Sequence, residues 1–199
     1  MPKLNVVIAI TSGENDMGSV LNLVWEKFLP ACHTFPNKIK IDNSSSLKKT
    51  LKNLKIDGVS GNSTTSSEKA FLNSSYKLDS NSLGLKLLKI TQDSNNQALR
   101  VSLTGADKHI EFNAGHQSWI RSQSDFPNGS LFDLKNEPLA AVYGWEKSSI
   151  LNIKVCAVET PFNFSIRFKF EKNKVDFSWN PNVGFDNKLN FNIIGHRRN

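Results

Sequence analysis

Cysteine is scarce in this sequence, and its scarcity excludes two classes of protein. Two cysteines, Cys32 and Cys156, stand among 199 residues. Two thiols are too few for a disulfide framework, and these two are too far apart in sequence for a zinc knuckle. The sequence leaves open whether Cys32 and Cys156 form a disulfide with each other.

Long apolar runs are also missing. The N-terminus carries one lysine followed by the short run LNVVIAIT (Leu4–Thr11). This run is well under the roughly 18 to 20 residues that a membrane-spanning helix requires, and no convincing small-residue cleavage site follows it. The sequence therefore predicts neither a transmembrane segment nor a signal peptide, and the compartment remains unknown.

Histidine is sparse and scattered, which argues against a metal centre. The four histidines are His33, His109, His116 and His196. The pair His109-x-Glu111 matches half of a zinc deaminase signature, but the Pro-Cys-x-x-Cys half is absent. We therefore expect no metal site and no cofactor.

Positive charge is in excess, yet it is not concentrated. The net charge is +7 and the isoelectric point is about 9.4. Lysines occur from Lys3 to Lys188 with aspartate and glutamate among them, whereas a nucleic-acid footprint usually gathers basic residues on one element. This pattern favours a basic, solvated surface over a nucleic-acid groove.

The first part of the chain has helical and strand patterns that are too short to form a domain. The β-branched run Leu4–Thr11 predicts a strand buried on both faces. Asn15 or Asp16 can then cap a helix that Pro30 ends. Residues 44–54 predict a short amphipathic helix with a leucine stripe and a lysine face. Because these pieces cannot bury their apolar surface alone, we expect them to dock elsewhere or to self-associate through the strand.

A polar stretch divides the sequence. Residues 57–67 (DGVSGNSTTSS) are small and polar and have no periodicity, which is typical of a flexible linker. The predicted organisation is therefore a segment at 1–55, a linker at 56–69 and a β-domain at 70–199.

Beyond that stretch the apolar residues recur with a period of two. The clearest case is residues 162–170, where five aromatic or aliphatic residues alternate with polar ones. Short alternating segments of this kind, joined by turns, predict a mainly β protein. We expect an antiparallel, lipocalin-like β-barrel or sandwich of about eight or nine strands, since closure removes exposed edges.

The string NVVIAITSGENDMGSVLNLVWEKFLPA resembles the closing segment of the catalytic domain in β-lactamase-related, penicillin-binding-protein-like serine hydrolases. In that family the strand is the last of the central sheet, a helix packs back on it, and a linker leads to a C-terminal β-domain. The strings YKLDSNSLGLKLLKI, VCAVETPFNFSIRFKF and VDFSWNPNVGF resemble that β-domain. The resemblance implies that residues 1–55 are a remnant of a catalytic domain.

The catalytic parts of that family are missing from this sequence. Catalysis there needs a Ser-x-x-Lys nucleophile with a Tyr-x-Asn-type motif and a Lys-Thr-Gly or His-x-Gly motif. Four Ser-x-x-Lys matches occur without these partners, starting at Ser45, Ser46, Ser66 and Ser74. The resemblance therefore implies a non-catalytic accessory region with no catalytic residue, whose partner is a separate or lost serine-hydrolase domain.

The alternative hypothesis is a barrel that binds a small ligand, either a lipid or a saccharide. An eight-stranded barrel is near the size at which the interior is packed or holds one small molecule. Trp119 lies near His116 in GHQSW, where a sugar could stack on the indole. Phe164 and Phe168 would face the interior. These four residues are the predicted ligand contacts.

Overall fold

The computed structural model describes residue 1 and residues 5–34, 44–93, 98–127, 133–183 and 191–198. The chain divides into two compact units, Met1–Asp57 and Gly58–Asn199. Among the described helices, none is long and apolar enough to cross a bilayer.

The first unit is helical, and it lacks the predicted N-terminal strand. Residues 5–11 are neither helix nor strand, and the side chain of Val7 is 94% exposed. Residues 2–4 lie outside the described part of the chain. A strand needs hydrogen bonds to a neighbouring strand, and no described residue before Ser74 belongs to one. The prediction of a strand buried on both faces is therefore wrong for residues 5–11. Self-association through this N-terminal segment stays a prediction.

The predicted first helix begins where expected but runs past its predicted end. Helix α1 (Met17–Leu23) starts at Asp16, whose carboxylate accepts a hydrogen bond from the amide of Ser19 at 3.1 Å. A π-helical turn (Val24–Phe28) leads into α2 (Leu29–Thr34). Pro30 lacks an N–H and its ring crowds the preceding turn. The wider turn just before Pro30 is where the helix accommodates it.

Helix α3 (Ser44–Lys52) completes the first unit and agrees with the predicted amphipathic helix. Its leucines Leu47 and Leu51, together with Leu54 just beyond it, are exposed.

Both cysteines are free; burial raises the pKa of the Cys156 thiol, and Lys154 partly offsets this.

The described residues of the second unit form a β-barrel of ten strands preceded by one short helix, α4 (Glu68–Phe71). The strands are β1 (Ser74–Leu78), β2 (Leu85–Gln92), β3 (Ala98–Gly105), β4 (His109–His116), β5 (Ile120–Pro127), β6 (Asp133–Lys147), β7 (Ile150–Ala157), β8 (Asn163–Glu171), β9 (Lys174–Pro181) and β10 (Phe191–Arg197). The prediction of a mainly β protein with an antiparallel barrel is confirmed. The strand count is higher than expected because the polar strand β5 carries little apolar alternation. The alternation of Leu189, Phe191 and Ile193 predicts a last strand, and of these three Leu189 lies outside the described residues.

Strands that are neighbours in sequence pair antiparallel, except β4 with β5, and β1 pairs with β10. The sheet order is β4-β3-β2-β1-β10-β9-β8-β7-β6-β5. The end strand β4 also pairs with β6, the strand next to the other end of this order: Gly115 and His116 lie parallel to Val142 and Tyr143. The sheet thereby closes on itself.

The closure between β4 and β5 uses side chains, and we call this contact the seam. Among the described residues of these two strands, no backbone ladder joins β4 to β5. Instead, Ser124 accepts a hydrogen bond from the amide of Glu111 at 2.9 Å, and Ser122 accepts one from Asn113 at 3.0 Å. The serine hydroxyls therefore replace carbonyl oxygens that a regular ladder would supply.

Aromatic side chains fill much of the barrel interior. Along β8, every second residue is buried, beginning at Phe164. Phe168 stacks on Phe177 of β9 with ring centroids 5.0 Å apart, and Phe164 meets Trp179 edge-on at 5.6 Å. Rings in such contact bury large apolar areas and stabilise the core.

The polar stretch before α4 is bonded to the barrel rather than left as a free linker. We call residues 58–67 the strap. The amide and carbonyl of Asn62 exchange hydrogen bonds with Trp145 at 3.0 and 2.9 Å, and the Tyr143 hydroxyl donates to the Ser63 carbonyl at 3.1 Å. Next along the chain, Phe71 of α4 stacks on Phe170 at 4.9 Å. The strap is thus bonded to β6, and α4 packs against β8.

Candidate functional site

A pocket lies on the barrel beside the turn between β1 and β2, and we call it the rim pocket. Its volume is about 600 Å³. Basic, neutral polar and apolar side chains line it: Lys77, Leu78, Asp79, Ser80, Asn81, Gly84, Leu85, Lys86, Leu87 and Arg198. The lining residues thus combine three leucines with three basic side chains and one carboxylate.

The side chain of Asn81 stabilises the turn that forms one wall of the rim pocket. Asn81 donates from Nδ2 to the carbonyl oxygens of Asp79 and Leu85, at 2.8 and 2.7 Å, and its Oδ1 accepts from the Leu85 amide at 3.1 Å. Gly84 has a φ of +69°, a left-handed conformation that suits glycine. The wall is therefore preformed before any ligand arrives.

A bulge at the start of β2 supplies two more lining residues. The pairing of β2 with β3 shifts register between Leu85 and Leu87, so that Lys86 is an extra residue on this strand. Leu87 pairs with Lys77 of β1, and all three side chains line the pocket. Bulges redirect side chains that strict alternation would send to opposite faces. Here, the bulge adds Lys86 to the face that carries Lys77 and Leu87.

The charges at the rim pocket are mainly positive. Lys77, Lys86 and Arg198 contribute three cations, and Asp79 is the single carboxylate among the lining residues. One oxygen of Asp79 lies 3.4 Å from Nε2 of His196, outside the lining set. Two flexible lysines and one guanidinium around leucine side chains can bind a molecule that has an anionic head and an apolar portion.

The strap also contacts a polar group of a buried residue, the Tyr143 hydroxyl. Burial raises the pKa of Tyr143 to about 12, and the carboxylates of Glu68 and Asp93 add to this increase. The nearby Nε2 of His116 lies 3.1 Å from the Gly61 carbonyl oxygen, and its ring is 5.7 Å from that of Tyr143. These hydrogen bonds join the strap to the barrel.

The predicted ligand contacts do not meet at the rim pocket. Phe164 and Phe168 lie inside the barrel, where Phe168 is fully buried against other rings. His116 bonds to the strap, and Trp119 is half-buried in the turn between β4 and β5. A role for these four residues in ligand contact stays a prediction. None of them is among the residues that line the rim pocket.

Sequence reasoning missed the rim pocket, although one signal was present. In LGLKLLKI the apolar residues Leu85, Leu87, Leu88 and Ile90 break strict alternation at the doubled leucine. A doubled apolar residue within an alternating strand indicates a bulge. The turn NSLG before it has the asparagine and glycine that tight turns favour.

The interior holds one further polar group of interest. Trp145 is buried on β6, with its ring 5.9 Å from that of Phe170. Its indole N–H has no hydrogen-bond acceptor among the described residues.

Among the described residues, no group of three or more histidine, cysteine, aspartate or glutamate side chains is placed to hold a metal ion.

No protein-family model matches the chain, and no curated protein sequence matches it. Several solved structures are similar to it at 10% identity. Fatty-acid-binding protein 1 of Echinococcus granulosus has a TM-score of 0.47 and matches over 66% of this chain and 99% of that chain. A secretory abundant heat soluble protein of Ramazzottius varieornatus has a TM-score of 0.45 and matches over 71% of this chain and 100% of that chain. The fatty-acid-binding protein in brain tissue of Drosophila melanogaster has a TM-score of 0.43 and matches over 65% of this chain and 99% of that chain. These similarities concern the fold alone.

The resemblance to β-lactamase-related serine hydrolases is wrong. The solved structures similar to this chain are binding-protein and heat-soluble-protein barrels, and no family model or curated sequence ties the chain to the hydrolases. The strand that would have been the last of a catalytic sheet is absent from residues 5–11. The interpretation of residues 1–55 as a catalytic remnant, and the expected catalytic-domain partner, rested on that resemblance alone.

Proposed function

We propose that this chain is a non-catalytic β-barrel that binds a small anionic amphiphile at the rim pocket. The observation that carries the proposal is the composition of the pocket, whose lining includes three cationic side chains and three leucines. An apolar surface favours an alkyl or ring portion of a ligand, and the cations favour a carboxylate, phosphate or sulfate head. Lipid-like acids are the ligand class that has both.

The size and stability of the pocket support this proposal. Its volume of about 600 Å³ is within the range of small-molecule sites. The three hydrogen bonds of Asn81 hold the turn in place. Because a preformed wall loses little conformational freedom when the ligand binds, more of the contact energy contributes to affinity.

The barrel interior is a weaker candidate for the binding site. Phe168, Phe170 and Phe177 contact one another there, and close-packed rings leave little room for a ligand. The unpaired indole N–H of Trp145 favours a second candidate, an interior ligand that has a hydrogen-bond acceptor. Such a ligand would have to displace the strap or aromatic side chains.

Calorimetric titration with decyl phosphate, below its micellar concentration, tests the proposal. We expect the Lys77→Gln/Lys86→Gln variant to bind at least about ten-fold more weakly, because a hydrogen bond to a charged group contributes about 1.5 to 3 kcal/mol. The matched control is Lys108→Gln/Lys172→Gln, which removes two exposed lysines from turns elsewhere on the barrel. Equal affinities in both variants and the native chain would refute the rim site. Loss of binding in Trp145→Phe alone would favour the interior.

A further inference from the structure

Helix α3 has an apolar stripe that is exposed to solvent. Leu47, Leu51 and Leu54 are 59%, 55% and 70% exposed. Spacings of four and three residues bring them to one side of the helix. The amide of Leu54 bonds to the carbonyl of Leu51 at 3.3 Å, which continues the turn beyond Lys52.

Lysines flank this stripe, and acidic residues are absent from it. Lys48 and Lys52 lie one position after Leu47 and Leu51, and Lys49 and Lys55 add two further cations. The sequence from residue 44 to residue 56 contains no aspartate or glutamate. Long lysine stems can lie along an apolar surface while the ammonium groups stay in the polar layer beside it.

An exposed leucine stripe bordered by lysines is typical of a helix that lies in the plane of a lipid surface. The leucines gain by leaving water for the acyl boundary, and the lysines gain by approaching anionic headgroups. Charge complementarity therefore selects an anionic bilayer over a neutral one. A partner protein with an apolar groove would not by itself use the cluster of lysines.

We propose that α3 binds the surface of an anionic lipid bilayer, inserting Leu47, Leu51 and Leu54 and placing Lys48 and Lys52 at the level of the headgroups. This surface lies in the first unit and is independent of the rim pocket. It would bring the full chain to a membrane whether or not the barrel binds a ligand.

Co-sedimentation of the full chain with vesicles tests this proposal. One set of vesicles contains phosphatidylcholine alone, and the other also contains phosphatidylserine. We expect binding to the second set only, and we expect it to weaken as salt increases because salt screens surface charge.

Two variants of α3 separate the apolar and electrostatic contributions. Lys48→Gln/Lys52→Gln should weaken binding about ten-fold or more, because each lysine near an anionic surface contributes about a five-fold effect. Leu47→Ser/Leu51→Ser should weaken it by a similar factor. Lys108→Gln/Lys172→Gln, which removes the same charge from the barrel, should bind as the native chain does. All six positions are exposed, and circular dichroism checks that folding is retained.

Equal binding to both kinds of vesicle, or no binding to either, would overturn the proposal. A second outcome would also overturn it: the native chain binds no vesicles and sediments as a dimer, and Leu47→Ser/Leu51→Ser sediments as a monomer. The leucine stripe would then contact a second copy of the chain. Titration of decyl phosphate without vesicles reports the rim pocket separately, so failure of one proposal is distinguishable from failure of the other.

Discussion

Tyr143 donates a hydrogen bond from its hydroxyl to the carbonyl oxygen of Ser63, 3.1 Å away, across 80 residues of sequence. This bond connects the inner face of β6 to the strap. The pKa of Tyr143 is raised from 10.0 to about 12, chiefly by burial and further by Glu68 and Asp93. The bond can exist only while the hydroxyl is protonated, since a phenolate has no proton to donate.

The raised pKa makes the stability of the barrel sensitive to alkaline pH. Between pH 10 and 12 the unfolded chain releases the tyrosine proton and the folded chain retains it, so the free energy of unfolding falls as pH rises. Between pH 9 and pH 11.5, we expect the free energy of unfolding to fall by about 2 kcal/mol less in Tyr143→Phe than in the native chain. Urea unfolding of both proteins at pH 9, 10 and 11.5 measures the difference. Identical pH profiles would show that Tyr143 is not held protonated by the fold.

Gly144 allows the strap to lie against β6. A Cβ at this position would be 2.8 Å from the Ser60 carbonyl oxygen and 3.2 Å from the Cα of Gly61. Gly144→Ala should therefore push the strap away, at a cost of about 1 to 3 kcal/mol. Faster hydrogen exchange at the amides of Asn62 and Trp145 would report this change.

Gly58 provides the matched control for that experiment. A Cβ there meets only the side chain of Val142, at 3.4 Å, which is ordinary contact. We expect Gly58→Ala to leave both amides protected. If both alanine variants exchange at the native rate, the strap does not need the close approach at Gly144.

The seam between β4 and β5 depends on two serine hydroxyls. Ser122→Ala or Ser124→Ala leaves the amide of Asn113 or Glu111 without its acceptor. We expect each change to destabilise the barrel by roughly 1 to 3 kcal/mol, because a half-buried N–H loses its partner. Ser165→Ala, at an exposed position of β8, should change stability little. Equal unfolding midpoints for all three would contradict a structural role for the seam serines.

Phe168 tests whether the predicted interior contacts act as core or as ligand contacts. Its ring is fully buried and stacks on Phe177 at 5.0 Å. Phe168→Ala should lower the free energy of unfolding by about 3 to 5 kcal/mol. The milder Phe168→Leu keeps most of the apolar volume and should bind decyl phosphate as the native chain does. Weaker binding by Phe168→Leu would favour an interior ligand.

The β-domain could be predicted from sequence because its strands alternate. Phe164, Phe168 and their neighbours on β8 occupy every second position, and the structure buries all of them. Strand β5 was not predicted, because IRSQSDFP is polar and places serines where other strands have leucine or phenylalanine. Its position depends on hydrogen bonds to β4 and β6, which a single strand's pattern does not reveal.

The N-terminal run and the strap show where local pattern is insufficient. Val7 and its neighbours have strong β propensity, but propensity forms no strand without a neighbouring one. The strap has the composition of a free linker, yet Asn62 pairs with Trp145, a residue 83 positions away in sequence. The rim pocket arises from a bulge and a turn whose arrangement in space depends on β1, β2 and β10 together.

Amide chemical shifts during a titration with decyl phosphate give the most direct test of the central claim. Binding at the rim pocket predicts that the largest changes occur at Lys77, Asn81, Lys86 and Leu87, all of which line it. Changes concentrated instead at Phe164, Phe168 and the Trp145 indole N–H, or no saturable change at all, would contradict the account.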